Sequence, residues 1–170
     1  MALHDELLNL ASAISNLSPH DAALRRAIST APYALFHLLS EEVAEQASPA
    51  NPPGLRDQVR RVLEHETMNK AASAFGATNP APSVTQLLAM PISEDLKTVA
   101  LAFKELQQNR YEADYNVRAS FTPEQVSGLL NRTSAAFLAL KRERNSDNAR
   151  LFLASLIFYD EARFKSANTR

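Results

Sequence analysis

Hydrophobic residues recur every three to four positions along most of this chain, and that period constrains its fold more than any other feature. The first window shows it clearly, since Leu3, Leu7, Leu10, Ile14 and Leu17 fall on one side of a helix with 3.6 residues per turn. No segment alternates apolar and polar residues over the length of a strand. Only 3 of the 170 residues are glycine, whereas Ala, Leu, Glu and Arg, all good helix formers, are abundant. The sequence therefore predicts an all-α protein built as an antiparallel helical bundle.

The periodic segments and the proline-rich stretches between them predict five to six helices. Their approximate bounds are 3–17, 19–46, 55–75, 93–115, 123–142 and 147–165, with a short helical turn possible within 84–90. Pro32 lies inside the long second helix, where it removes one backbone donor and clashes with the carbonyl of Ile28. The apolar period continues across it, so we expect a kink near Pro32 rather than a break. Gly76 is expected to end the third helix in the left-handed conformation.

Length, composition and cysteine content limit the class of protein. A chain of 170 residues, of which 45% are hydrophobic, suits a single domain over residues 1–170 with a proper core. The sequence has no cysteine, which excludes disulfides and thiolate metal sites and fits a reducing compartment. It also has no run of 18 apolar residues and no signal-peptide pattern at its start. We therefore expect a cytoplasmic protein that does not associate with membranes.

Charge is distributed unevenly although the net charge is only −1. Residues 1–131 carry 10 Lys and Arg against 15 Asp and Glu, a net −5, whereas residues 132–170 carry 8 against 4, a net +4. Four of the basic residues cluster, namely Lys141, Arg142, Arg144 and Arg150. This cluster is typical of a solvated helix end, and a patch that contacts phosphates is the less favoured interpretation.

The densest set of functional side chains lies between Gln108 and Tyr115, in the order Gln-Asn-Arg-Tyr-Glu-Ala-Asp-Tyr. Arg110 and Asp114 are four residues apart and so share one helix face. A surface ion pair between them is the simple interpretation. The functional one is an arginine that Asp114 holds and presents to a phosphate, because a planar guanidinium can bind two phosphate oxygens at once. Tyr111 and Tyr115 could stack on a base or donate phenolic hydrogen bonds, although tyrosines are also common in cores and interfaces.

The sequence lacks the usual motifs for cofactors and metals. There is no glycine-rich phosphate loop, no Cys/His cluster and no His-Glu-x-x-His, so we expect no cofactor and no metal site. The four histidines are scattered along the chain. His37, one residue beyond Phe36, is either hydrogen-bonded to a neighbouring helix or, if packing brings it beside Arg110, a group that carries protons.

Two segments about seventy residues apart together resemble the signature regions of the HEPN domain superfamily. This small all-helical domain occurs in bacterial ribonuclease toxins and nucleotide-handling proteins. The Arg-x-x-Ala-Asp-Tyr form of Arg110 to Tyr115 is similar to a branch of uncharacterised bacterial HEPN-like proteins. The Arg-Ala-x-x-x-Ala-x-Tyr-Ala-x-Phe-His pattern of that branch is met by Arg26, Ala27, Ala31, Tyr33, Ala34, Phe36 and His37. The resemblance covers about residues 3–142 and leaves 147–165 as an additional C-terminal helix. The family often has a tyrosine where Pro32 stands.

The resemblance implies a binding function more strongly than catalysis. HEPN domains that cleave RNA carry a histidine after the arginine, separated from it by four to six residues, but Tyr115 stands there and residues 111–121 contain no histidine. General acid–base help contributes about 10²–10⁴ in rate, and a phenol with its usual pKa of about 10 is a poor base at neutral pH. The resemblance thus implies a dimeric, non-catalytic or weakly active module that binds nucleotide or RNA in a toxin–antitoxin or defence context. The binding residues would be Arg110, Asn109, Asp114, Tyr111, Tyr115 and Tyr33.

Two alternatives remain open. The first is a metal-independent endoribonuclease, such as the toxin of a toxin–antitoxin pair or a defence protein, in which Arg110 works with a replacement for the missing histidine. His37 and Tyr115 are the candidates for that replacement, and an antitoxin protein would be the partner. The second is a helical interaction partner of a nucleotidyltransferase, which would receive a nucleotide on Tyr111 or Tyr115.

Overall fold

The structure is a computed structural model that describes residues 1–47 and 53–160, and the regular elements in these residues are all α-helices. The helices of the described chain are α1 (Leu3–Leu17), α2 (Asp21–Ala47), α3 (Pro53–Arg61), α4 (His65–Phe75), α5 (Pro82–Thr85), α6 (Glu94–Tyr115), α7 (Pro123–Glu143) and α8 (Asp147–Phe158). The prediction of an all-α helical bundle is therefore confirmed, with eight helices in the described residues instead of five to six.

The prediction of one helix over residues 55–75 is wrong, because α3 and α4 take its place. The chain leaves α3 after Arg61, and Glu64 is extended immediately before α4, with φ −114° and ψ 132°. In one continuous helix, Leu63 would point about 140° away from Met68, which lies on the buried face of α4. The break allows both side chains to be buried. Val62, the residue before Leu63, is exposed.

Helix starts are better predicted than that internal break. The Ser93 hydroxyl accepts a hydrogen bond from the backbone amide of Leu96 at 3.1 Å, which caps α6. At the start of α7, Thr122 and Gln125 form a reciprocal capping box. The backbone amide of Thr122 donates to Gln125 Oε1 at 2.8 Å, and the amide of Gln125 donates to Thr122 Oγ1 at 3.3 Å.

The predicted conformation of Gly76 is wrong. Gly76 has φ −81° and ψ −4°, which is right-handed. A Cβ atom at this position would lie 3.0 Å from Leu101 Cδ2 and 3.1 Å from the carbonyl oxygen of Ala72. Glycine therefore suits this helix end because of a close approach by neighbouring atoms, and its backbone freedom is not used.

The long second helix is continuous. α2 runs from Asp21 to Ala47 with Pro32 buried inside it, so the expected continuity is confirmed and the bend at Pro32 stays a prediction. The last predicted helix ends earlier than expected, since α8 stops at Phe158. Residues 161–165, the remainder of that predicted helix, lie outside the described residues.

The chain forms two compact units. The first comprises Met1–Leu38 and Ala102–Leu138, and the second comprises Leu39–Leu101 and Ala139–Arg170. All the residues singled out above as candidate binding or catalytic groups belong to the first unit. In the second unit α4 packs on α8, with the rings of Phe75 and Phe152 5.2 Å apart. The expectation of a single domain over residues 1–170 stays a prediction.

In the first unit, α2 and the C-terminal half of α6 are antiparallel. Arg25 of α2 contacts the carbonyl of Asn116, which directly follows α6. One turn later Ser29 contacts Asp114, and one turn after that Tyr33 contacts Arg110. The partners move backward along α6 as the chain advances along α2, so these two segments run antiparallel. Packing places the two motif segments against each other.

Candidate functional site

Arg110 lies near the end of α6 and reaches across to α2. Its Nη1 donates a hydrogen bond to the Tyr33 hydroxyl at 3.0 Å, and its guanidinium carbon lies 5.5 Å from the centre of the Tyr33 ring. This distance is within the range of a cation–π interaction. Nε of Arg110 is buried and has no hydrogen-bond partner among the described residues. Tyr33 thus holds the guanidinium by one of its five N–H donors.

The partner of Arg110 is a neutral phenol, which leaves the positive charge of the guanidinium uncompensated. The expected contact between Arg110 and Asp114 is not formed, because the Asp114 carboxylate accepts a hydrogen bond from the buried hydroxyl of Ser29. No ion pair of Arg110 is recorded within the described part of the chain. In the same unit Arg25 pairs with an aspartate and Arg132 with a glutamate. Arg110 is therefore a positioned cation with capacity for an anion.

Two exposed tyrosines follow Arg110 on α6. Tyr111 is 59% exposed and Tyr115 is 68% exposed. Their ring centroids are 5.2 Å apart and the ring planes are inclined by 47°. This exposure excludes the core interpretation of the pair, because tyrosines of the core would be buried. Each ring has a face that can stack on a nucleobase.

Asn109 and His37 do not join Arg110 in this structure. The Asn109 side-chain amide donates to the backbone carbonyl of Glu105 at 2.8 Å, so it binds its own helix. The His37 ring meets the neighbouring Phe36 ring edge-on, with centroids 5.6 Å apart. The side-chain contacts recorded for Arg110 are with Tyr33. The candidate set therefore reduces to Arg110 with Tyr33, and to the exposed pair Tyr111 and Tyr115.

Arg25 belongs to the surroundings of the site, although the sequence did not single it out. Its Nη1 donates to the carbonyls of Ala113 at 3.0 Å and Asn116 at 3.1 Å, and its Nη2 donates to the carbonyl of Ala119. Its guanidinium also lies 5.4 Å from the centre of the Phe121 ring. Carbonyls at a helix C-terminus lack intrahelical partners and carry partial negative charge. Arg25 therefore caps the C-terminal end of α6, the helix that carries Arg110. No local sequence motif predicts this role, because the partners of Arg25 are about 90 residues away.

The basic cluster of the C-terminal part is largely paired with carboxylates. Arg142 makes two hydrogen bonds to Asp95, at 2.7 and 2.6 Å, and Arg144 lies 3.2 Å from Glu42. Arg150 pairs with an aspartate of its own helix at 3.4 Å. Hydrogen bonding from Arg142 holds the pKa of the Asp95 carboxyl below its ordinary value. These pairs support the interpretation of the cluster as a solvated helix end over that of a phosphate-binding patch.

Neither a metal cluster nor a membrane-spanning helix occurs in the part of the chain that the structure describes. No group of three or more His, Asp or Glu side chains there is placed to hold a metal ion. None of its helices has the length and apolar character needed to cross a membrane. The expectation that the protein uses no cofactor stays a prediction.

Comparisons of the chain with protein-family models, with curated proteins and with solved structures return no match. The resemblance to HEPN domains therefore depends on the residues of the two motif segments. Any function has to be argued from the chemistry of the site itself.

Proposed function

We propose that this protein is a HEPN-like module that binds a nucleotide or RNA through Arg110, without cleaving it efficiently. The observation that carries the proposal is the setting of Arg110, a guanidinium fixed by the neutral hydroxyl of Tyr33 and paired with no carboxylate of the described residues. A fixed guanidinium suits a phosphate because two parallel N–H donors can bind two of its oxygens. The proposal includes a homodimer and a cytoplasmic location.

Tyr111 and Tyr115 supply the second part of the proposed ligand site. They are exposed, contact each other and follow Arg110 by one and five residues on the same helix. Stacking of a base on an aromatic side chain typically contributes about 1–3 kcal/mol. A phosphate contact combined with base stacking favours a nucleotide or an unpaired RNA strand, since the bases of a duplex are already stacked on each other. We therefore expect single-stranded RNA to bind more tightly than duplex RNA.

A binding experiment tests the role of Arg110. Fluorescence anisotropy of a labelled single-stranded oligoribonucleotide should show that Arg110→Ala weakens binding by about tenfold or more, which corresponds to about 1.4 kcal/mol. Arg110→Lys should fall between the native protein and Arg110→Ala, because lysine keeps the charge and loses the planar fork. Arg132→Ala is the matched control, since Arg132 is an exposed arginine of the same unit and pairs with Glu105 at 2.9 Å. Equal affinity of the native protein and Arg110→Ala would contradict the proposal.

In the described residues the side-chain partner of Arg110 is Tyr33 and not a histidine, which favours binding over cleavage. Metal-independent cleavage of RNA needs a group that titrates near neutral pH beside the reacting oxygens, yet the contact recorded for the guanidinium is a phenol. The native protein, Arg110→Ala and Tyr115→His should be incubated with end-labelled structured RNA in the absence of metal. We expect no cutting by the native protein. Cutting that Arg110→Ala abolishes would instead establish the endoribonuclease alternative.

The exposure of Tyr111 and Tyr115 also supports a second candidate function, that of a partner for a nucleotidyltransferase. An enzyme can reach a hydroxyl that lies at the surface, whereas it cannot reach one in a core. Incubation with a nucleotidyltransferase and ATP, followed by mass spectrometry, should then show one AMP esterified to the hydroxyl of Tyr111 or Tyr115, with release of pyrophosphate. A mass gain that Tyr111→Phe/Tyr115→Phe does not remove would count against this candidate.

A further inference from the structure

Helix α1 presents three leucines to solvent on one side. Leu3, Leu10 and Leu17, here called the leucine stripe, are 48%, 50% and 81% exposed. They are seven residues apart, so at about 100° per residue each points within about 20° of the one before it. The stripe is about 21 Å long at a rise of about 1.5 Å per residue. Isolated exposed leucines are common, but three of them aligned on one side of a helix favour an interface.

One further apolar side chain lies near this stripe. The sulfur of Met1 is 3.6 Å from the side-chain nitrogen of Asn9, which precedes Leu10. Met1 is more than half exposed. The apolar surface therefore includes Met1 beside the first half of the stripe.

We propose that the leucine stripe is the seam of a homodimer in which α1 packs antiparallel against α1 of a second copy. The stripe is symmetric in sequence, since Leu3 and Leu17 lie seven residues on either side of Leu10. A two-fold axis at Leu10 therefore places Leu10 of one copy against Leu10 of the other. It places Leu3 of one copy against Leu17 of the other. A second copy of the chain is thus self-complementary to this surface. Dimerisation through this surface does not depend on nucleotide binding.

The charges of α1 favour the antiparallel arrangement. Asp5 and Glu6 lie in its first turn, and its last turn has no basic residue. A parallel pair would place four carboxylates side by side. An antiparallel pair separates the acidic groups of the two copies by about 12–15 Å along the axis, which is more than the Debye length of about 8 Å at physiological salt. Apart from Glu6, the exposed flanking residues Asn9, Ala13 and Asn16 carry no charge, so they add no repulsion.

Sedimentation velocity of the protein without ligand, over about 2–200 μM, should show a dimer that dissociates on dilution, because a seam of this length is small for a stable interface. Leu10→Glu places two carboxylates opposite each other on the axis and should raise the dissociation constant at least about tenfold. Leu87→Glu is the control, since Leu87 is also 50% exposed and belongs to the second unit. Circular dichroism should show both variants folded. A monomer at every concentration, or a dimer that Leu10→Glu leaves intact, would overturn the proposal.

Paired substitutions test the antiparallel register. Leu3→Glu/Leu17→Lys sets opposite charges against each other in an antiparallel pair and like charges in a parallel one. We expect this double variant to dimerise at least about tenfold more tightly than Leu3→Glu/Leu17→Glu, in which like charges meet in either arrangement. Equal weakening of both variants would overturn the two-fold arrangement at Leu10. Because no RNA is present in these measurements, their failure would leave the role of Arg110 untouched.

Discussion

At the scale of single residues, the hydrogen bond between Arg110 and Tyr33 determines what the guanidinium can do. A carboxylate in the place of the phenol would both hold the side chain and cancel its charge. The Tyr33 hydroxyl holds Arg110 at 3.0 Å and leaves the charge available. Asp114, the nearest acidic residue in the sequence that shares its helix face, is engaged by Ser29. The electrostatic character of the site thus follows from two contacts between α6 and α2.

Tyr33→Phe tests whether that hydroxyl positions Arg110. The substitution removes the acceptor and keeps the ring that the guanidinium covers. Loss of one hydrogen bond of about 1 kcal/mol should weaken RNA binding about fivefold in the anisotropy measurement. The free energy of unfolding should change by less than about 0.5 kcal/mol, because Tyr33 is partly exposed.

Tyr111→Phe is the control for Tyr33→Phe, because it removes a hydroxyl from the same site without touching the anchor of Arg110. RNA binding should change less in the control than in Tyr33→Phe. Unchanged affinity in Tyr33→Phe would mean that Arg110 needs no anchor from α2.

The choice of partner at Arg110 marks the limit of what the sequence predicts at this scale. The spacing of Arg110 and Asp114 correctly places both on one helix, and the exposed pair Tyr111 and Tyr115 follows from the same helical spacing. Instead, Arg110 contacts Tyr33, which is 77 residues away, and Asp114 contacts Ser29, which is 85 residues away. A local pattern contains no information about which helix packs on α6, so an interaction between nearby positions was expected where a distant one forms.

At the scale of helices, Arg25 ties the end of α6 to α2. Arg25→Ala removes a charged donor from the carbonyls of Ala113, Asn116 and Ala119. Hydrogen bonds to charged groups contribute about 1.5–3 kcal/mol each, and neighbouring ones are not additive, so we expect a loss of about 2–3 kcal/mol in urea unfolding.

Arg150→Ala is the matched control for Arg25→Ala. Arg150 is exposed and pairs only locally in the described structure, at 3.4 Å from Asp147 three residues earlier. Its removal should cost less than about 0.5 kcal/mol. Equal unfolding free energies for the two variants would contradict the account of Arg25 as the cap of α6.

The pair between Asp95 and Arg142 predicts a pH dependence of stability. Hydrogen bonding from Arg142 lowers the pKa of Asp95 from 3.8, its value in the absence of such contacts. The folded state therefore favours the ionised carboxylate, so the stabilisation is present above about pH 4 and is lost as the pH falls through the lower pKa of the folded state. Asp95→Asn should lower the urea midpoint at pH 7, and the difference from the native protein should shrink towards about pH 2. A difference that is the same at both pH values would contradict this account.

Predictability differs among the helices for physical reasons. The capped starts of α6 and α7 depend on side chains within three residues of each other, and the sequence predicts both. The break between α3 and α4 arises because Leu63 and Met68 are both buried, which their spacing does not allow in one straight helix. The apolar period of that segment is compatible with a single helix. Local preference in this segment allows either one helix or two, and tertiary packing therefore decides between them.

At the scale of the whole molecule, the net charge of −1 limits how the proposed binding of RNA would occur. A general attraction to the phosphate backbone is absent, and the basic cluster near the C-terminal part is largely engaged by carboxylates. Binding through a few phosphate contacts has a shallow salt dependence, because each contact releases only about one counterion. Loss of a single phosphate contact would then remove a large fraction of the total binding free energy, and this loss can be measured.

The salt dependence of binding tests the central claim most directly. The affinity of the native protein and of Arg110→Ala for a labelled single-stranded oligoribonucleotide should be measured between about 50 and 200 mM salt. If Arg110 contacts one phosphate, the slope of log K against log salt should be shallower in Arg110→Ala by about 0.7, the value for one contact on a single strand. Identical slopes, with or without a change in affinity, would show that Arg110 does not bind a phosphate and would contradict the account.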